Sequence, residues 1–184
     1  MKLFKLKSAL ENYATFVIAR NSERWPDKSF NGKPRGSNYP VVRGVRDTEE
    51  MSTPLSDVLP DFTFFCHEPI PTFSERAVKA LDQALLSAGE LAPIEMNELM
   101  QYFAFNATTI IDILDEERSK IARFSSGRVM AVDRHELLDS VASIPFIFKI
   151  PQTSPGITYV NAAFPELVRD HALTGFDFQL LYQR

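Results

Sequence analysis

One cysteine, Cys66, stands among the 184 residues, so no disulfide can form within the chain and a thiolate zinc site lacks ligands. Only three histidines occur, His67, His135 and His171. They fall on different predicted elements, without the four-residue spacing that sets two imidazoles on one helix face, and no metal site is expected. No stretch approaches the roughly 18–20 apolar residues of a membrane span. The opening Met1-Lys2-Leu3-Phe4-Lys5-Leu6-Lys7 lacks the unbroken apolar core of a secretory signal, so a cytoplasmic location is expected. There is no Gly-x-Ser-x-Gly elbow and no phosphate-cradling glycine loop. Gly32-Lys33-Pro34-Arg35-Gly36 is basic and loop-like, but no helix follows it to hold a phosphate. No cofactor is expected.

What the chain does have is apolar bulk, 45% of residues with fifteen phenylalanines, enough for one ordinary domain spanning 1–184. The net charge of −4 disfavours a dedicated nucleic-acid binder. That charge is unevenly spread: residues 1–47 hold ten Lys/Arg against four Asp/Glu, and the remainder ten against twenty. Surfaces of opposite sign would steer a charged partner; two solvated faces are the plainer alternative.

Alternating lysines and apolar residues make 1–7 read as an edge strand, and Ala14–Ala19 as a second strand. From 20 to 60 glycine and proline break the pattern, leaving loops with one short strand at 39–42 and a loop-rich first third (1–59). Long loops in a compact domain are commonly functional. Further strands are read at 61–66, 101–107, 145–150, 157–160 and 176–182, with a hairpin pairing 121–124 and 129–132. Thr72-Phe73-Ser74-Glu75 has capping-box spacing before a helix with an apolar stripe of Ala77, Val78, Leu81, Leu85 and Ala88, stopped by Gly89. A short helix is read over 136–141, and another after Asn161, its cap, with Phe164, Leu167, Val168 and Ala172 on one face. The expectation is α+β: a mixed, largely antiparallel sheet with two principal helices.

Two regions stand out as partner-binding candidates. In the loops, Arg24, Trp25, Phe30, Arg35 and Tyr39 set aromatic and arginine anchors among loop formers; the aromatics could instead fold back onto the core. In the second, Asp112, Asp115, Glu116 and Glu117 form an acidic turn, either a simple solvated face or a patch that docks on a basic partner. Cys66 beside His67 suggests a nucleophile and base, but neighbours on a strand face opposite ways, which favours a buried thiol.

From residue 60 onward the chain resembles a family of bacterial immunity proteins associated with polymorphic and contact-delivered toxins. The resembling segments, in order, are Pro60-Asp61-Phe62, Phe73-Ser74-Glu75-Arg76-Ala77, Tyr102-Phe103-Ala104-Phe105-Asn106, Ile113-Leu114-Asp115-Glu116-Glu117-Arg118-Ser119 and Ile144-Pro145-Phe146-Ile147-Phe148-Lys149-Ile150. Thr158-Tyr159-Val160-Asn161 and Leu173-Thr174-Gly175-Phe176-Asp177-Phe178 complete the set, which covers about two thirds of the chain; residues 1–59 match loosely. Asn161 departs from the Ser or Thr more usual there, and asparagine caps a helix equally well. The resemblance implies a protein that binds and neutralises a cognate toxin; occlusion of the toxin's active site is the leading expectation for how, and the lack of a catalytic constellation in the sequence favours a binder over an enzyme. The resemblance assigns no toxin-contacting residue. Two other classes remain: an enzyme assembled from scattered residues such as His67, Glu68 and Asp115, and a regulatory scaffold unrelated to toxins.

Overall fold

The computed structural model describes residues 1–25, 29–36, 38–47, 56–65, 70–96 and 100–184. Its strands are β1 (Lys2–Ser8), β2 (Phe16–Ile18), β3 (Val42–Arg46), β4 (Phe62–Phe65), β5 (Ile70–Ser74), β6 (Gly89–Met96) and β7 (Tyr102–Ala107). They continue as β8 (Lys120–Arg123), β9 (Val129–Arg134), β10 (Ile147–Phe148), β11 (Tyr159–Asn161) and β12 (Phe176–Gln183). Helices α1 (Glu75–Ala80), α2 (Asp82–Leu86) and α3 (Ala163–Asp170), with a short 3-10 helix at Leu10–Asn12, complete the described elements. The fold is α+β, with mixed and antiparallel pairing.

The strands divide into three sheets. A six-stranded barrel closes in the order β2-β3-β6-β7-β5-β4, a four-stranded sheet runs β10-β11-β1-β12, and β8 and β9 form a hairpin. Closure removes the barrel's open edges. Phe16, Val42, Ala92, Ile94, Tyr102 and Ala104 belong to one buried cluster within it. Every second residue of β6 and β7 contributes, as the strand period requires. A second cluster, including Leu6, Phe62, Phe73, Leu81, Leu85, Phe105 and Phe164, joins the barrel's outer face to the helices and the open sheet. A third, with Leu3, Ile113, Leu114, Leu137, Phe148 and Tyr159, packs the segments around the hairpin against that sheet.

Four sequence expectations need correction. β1 is not an edge strand; it lies between β11 and β12 and pairs antiparallel with both. The first helix begins later than the capping box suggested, because Thr72 is buried inside β5. Ser74 is the cap, its Oγ accepting from the Ala77 N–H. The helix is also interrupted at Leu81 (φ −105°, ψ 14°), although Ala77, Leu81, Leu85 and Ala88 are all buried as the stripe required. Residues 136–141 are not helical; Leu137 bridges Leu114 instead. The short strand expected at 39–42 runs from Val42 to Arg46.

β6 was not foreseen. Gly89 ends the helical stripe and opens a strand at once, and a side chain there would collide with the Asn106 carbonyl. Pro93 sits just before β3 pairing begins at Ile94, so it interrupts none of that ladder. Asn161 acts as foreseen: its Oδ1 accepts from the N–H groups of Ala163 and Phe164.

Candidate functional site

The loop between β2 and β3 folds back as a plug over one end of the barrel. Glu90 and Asn106 face each other in register there, beyond the paired Ala92 and Ala104. Asn106 is fully buried; its Oδ1 accepts from Gly32 N–H (3.0 Å), and its Nδ2 donates to the Lys33 carbonyl (2.8 Å) and Tyr39 Oη (3.0 Å). The Glu90 carboxylate accepts from the backbone N–H groups of Arg35 and Gly36 and from the Tyr39 hydroxyl, each within 3.1 Å. Burial alone would raise the Glu90 pKa; these donors outweigh it and hold it below the ordinary 4.5, so the carboxylate stays charged. Burial, and then the bond to Glu90, push Tyr39 up to about 12.

Of the candidate anchors in this loop, the aromatic rings point inward. Trp25 is 9% exposed, and its Nε1 donates to the Pro40 carbonyl. It packs edge-on against Phe30 and tilted against Phe65, while Phe30 stacks on Tyr39. Trp25, Phe30 and Tyr39 therefore plug the barrel. Arg24 is exposed and Arg35 half-buried. A third clamp comes from Lys149, whose Nζ donates to the carbonyls of Phe30 (3.1 Å) and Pro155. Burial lowers its pKa to about 8.

The acidic candidates lie on the segment leading to the hairpin. Asp115 Oδ1 accepts from the N–H groups of Glu117 and Arg118, and Oδ2 pairs with Arg118 Nε at 2.6 Å. These bonds, the Arg118 N–H first, hold its pKa below the usual 3.8. Arg118 also donates to the Leu137 carbonyl and to Asp139. Glu116 pairs with Arg123, and Asp112 accepts from Gln152 Nε2. Glu117 is exposed. Asp115 and Glu116 are thus each neutralised by a neighbouring arginine. Beside this turn, Ile110, Ile111, Ile113, Val141 and Ile144 line an open groove of about 760 Å³.

Sequence reasoning also missed a node. Asp61, 2% exposed, accepts from Ser74 Oγ (2.8 Å), Arg76 Nη1 (2.7 Å), Thr174 N–H (2.9 Å) and Thr174 Oγ1 (3.2 Å). Arg76 goes on to the carbonyls of His171 and Ala172. At Gly175 (φ +84°) a side chain would strike the Phe62 carbonyl. Three motif segments far apart in sequence therefore meet at one carboxylate. Their order was the available signal; their convergence is visible only in three dimensions.

His135 is buried, its ring edge-on to Tyr159 and its Nε2 without a hydrogen-bond partner. Burial, and then the charge of Lys5, lower its pKa below the ordinary 6.5. The folded state therefore favours neutral imidazole, and its stabilising contribution is complete above pH 6.5 and lost as pH falls below it. Urea unfolding of the wild type and His135→Phe across pH 5–8 checks this. The wild type is expected to lose stability relative to the variant below 6.5; parallel curves would contradict the assignment.

Cys66, His67 and Glu68 lie outside the described residues. Among the described residues no three of His, Cys, Asp and Glu are grouped to hold a metal, and no helix is long and apolar enough to cross a membrane. Comparison with protein-family models and with curated proteins finds no match, so the immunity-protein resemblance stands on its quoted segments alone.

Proposed function

We propose that this chain is an immunity protein that binds and neutralises a cognate bacterial toxin, covering the toxin's active site within the cytoplasm of the producing cell. The observation that carries this reading is the employment of the motif residues. Asp61, Ser74, Arg76 and Thr174 tie α1 to the turn before β12. Asn106 and Lys149 clamp the barrel plug. Asp115 and Arg118 fix the turn before the hairpin. Among the described residues, these motif side chains hold the frame, and the exterior that they fix in place is the working part. A preformed surface binds with little ordering penalty, the property an occluding inhibitor needs.

The test is co-expression with the product of the adjacent gene. Growth arrest by that product alone, relieved by this chain, together with a stable purified complex, is the expected result. Toxicity that persists despite confirmed expression of folded chain would count against the reading.

A further inference from the structure

The β8–β9 hairpin stands away from the rest of the molecule. Its two strands pair only with each other. Ile121 and Val132, opposite one another near its base, pack against the third buried cluster. Beyond them every residue from 123 to 131 is exposed except the half-buried Val129. At Gly127 (φ +80°) nothing beyond its chain neighbours lies within 4 Å of where a side chain would begin. The tip nevertheless presents bulk. Phe124 is 43% and Met130 58% exposed, and the Arg128 guanidinium lies 4.8 Å above the Phe124 ring.

A two-stranded ribbon is marginal in water by itself, and this one is braced from base to tip. Ser119 Oγ donates to the Glu136 carbonyl and accepts from the Glu136 N–H, while Arg134 Nη2 donates to the Arg118 carbonyl. Further out, Arg123 ties the Glu116 carboxylate to the Gly127 carbonyl. At the turn, Phe124 N–H donates to the Arg128 carbonyl and Gly127 N–H to the Phe124 carbonyl. The ribbon's other cations are answered close by: Lys120 by Asp133, Arg123 by Glu116 and Arg134 by Glu136. Arg128 is the exception, for among the described residues no carboxylate pairs with it.

Resting on the immunity reading, we infer that this hairpin enters the partner, and that Phe124 and Arg128 at its tip seat in a cleft of the toxin offering an apolar wall and a carboxylate. Aromatic residues, methionine and arginine are enriched at protein–protein interfaces, where a few anchors carry most of the binding energy. Active sites are concave, so a projecting rod reaches what a flat face could only cover from outside. The bracing fixes the tip's shape before contact, which lowers the ordering cost. Asp115 and Glu116 then serve through Arg118 and Arg123, by holding the hairpin. A nucleic acid fits less well, since a single free cation at the tip gives a phosphate backbone no track to follow.

The experiment measures the affinity of the purified adjacent-gene product for five forms of the full chain: wild type, Phe124→Ser/Arg128→Ser, Arg128→Ala, Arg128→Glu, and a control, Leu86→Ser/Leu180→Ser, which removes exposed apolar bulk elsewhere. Circular dichroism and urea unfolding confirm that each is folded. The double tip variant is expected to bind roughly 30-fold or more weakly, and the control within about threefold of wild type. Arg128→Glu is expected to bind more weakly than Arg128→Ala, because it sets a carboxylate against a carboxylate. Wild-type affinity in the double tip variant would overturn the inference and leave the immunity reading standing. An equal loss in the control, or Arg128→Glu binding as well as Arg128→Ala, would also overturn it. Failure of the wild type to bind the adjacent product would remove both readings. A wild-type dimer in light scattering that the double tip variant breaks without changing toxin affinity would assign the tip to a second copy. A single-stranded DNA oligonucleotide held by the wild type and released by that variant, again with toxin affinity unchanged, would assign it to nucleic acid. Either result would sink the inference.

Discussion

Replacing Asp61 with alanine is expected to lower the unfolding free energy by about 2–4 kcal/mol, on the scale of stranding the buried donors that its carboxylate serves. The carboxylate is 3% exposed and gathers donors from three segments: the α1 cap at Ser74, Arg76 within α1, and Thr174 before β12. Without it the Thr174 N–H loses a side-chain acceptor in an interior that water cannot easily enter. The Arg76 guanidinium, 52% exposed, can turn outward, so α1 is expected to come loose from the turn after α3. Asparagine should rescue little, since its amide would present hydrogens to a site already crowded with donors. Urea denaturation measures both variants, and Asp61→Asn within 1 kcal/mol of wild type, on the scale of an ordinary hydrogen bond, would show that charge and acceptor number are unimportant there.

The second large effect is expected at Asn106. Asn106→Ala leaves Gly32 N–H, the Lys33 carbonyl and Tyr39 Oη without the one side chain that serves all three. Stranded groups at a fully buried position put the loss at about 2–4 kcal/mol. Asn106→Asp should be no better. A carboxylate still accepts from Gly32 but has no hydrogen for Lys33 or Tyr39, and it would sit opposite the charged Glu90. The local readout is amide hydrogen exchange. Gly32, Arg35 and Gly36 are expected to lose protection in the variant while β12 keeps it. Uniform loss across the chain would mean that Asn106 supports the whole fold and has no particular hold on the plug.

The elements most legible in the sequence were those whose signal is local. The apolar stripe from Ala77 to Ala88 is buried, Asn161 caps α3, and the 120–134 hairpin forms where glycine at 127 marks the turn. Hidden were the features set by residues far apart. Barrel closure depends on β2 lying beside β4 and β3 beside β6, and pairings across such separations leave no period to read. The alternation in β1 correctly gave a strand, but alternation reports which faces are wet and says nothing about how many neighbours flank it. Trp25 and Tyr39 illustrate the same limit at the candidate site. Their composition marked a candidate contact loop, while Tyr39 is oriented by a glutamate 51 and an asparagine 67 positions away, and Trp25 by the Pro40 carbonyl and the Phe65 ring. Glu90 itself carried no motif, standing alone after a glycine that read as a helix stop.

The placement of β1 at the centre of its sheet has a consequence for how the molecule is made. Lys2 pairs with Gln183 and Leu3 with Asn161, so β1 is synthesised long before either of its strand partners, β11 and β12. Closing so long a loop is entropically slow. Meanwhile both sides of that ribbon are open to stray pairing, the hazard that leads to aggregation. The lysines at positions 2, 5 and 7 are well suited to that interval: like charges at short spacing keep nascent copies from adhering to one another, acting as gatekeepers while the chain is being completed.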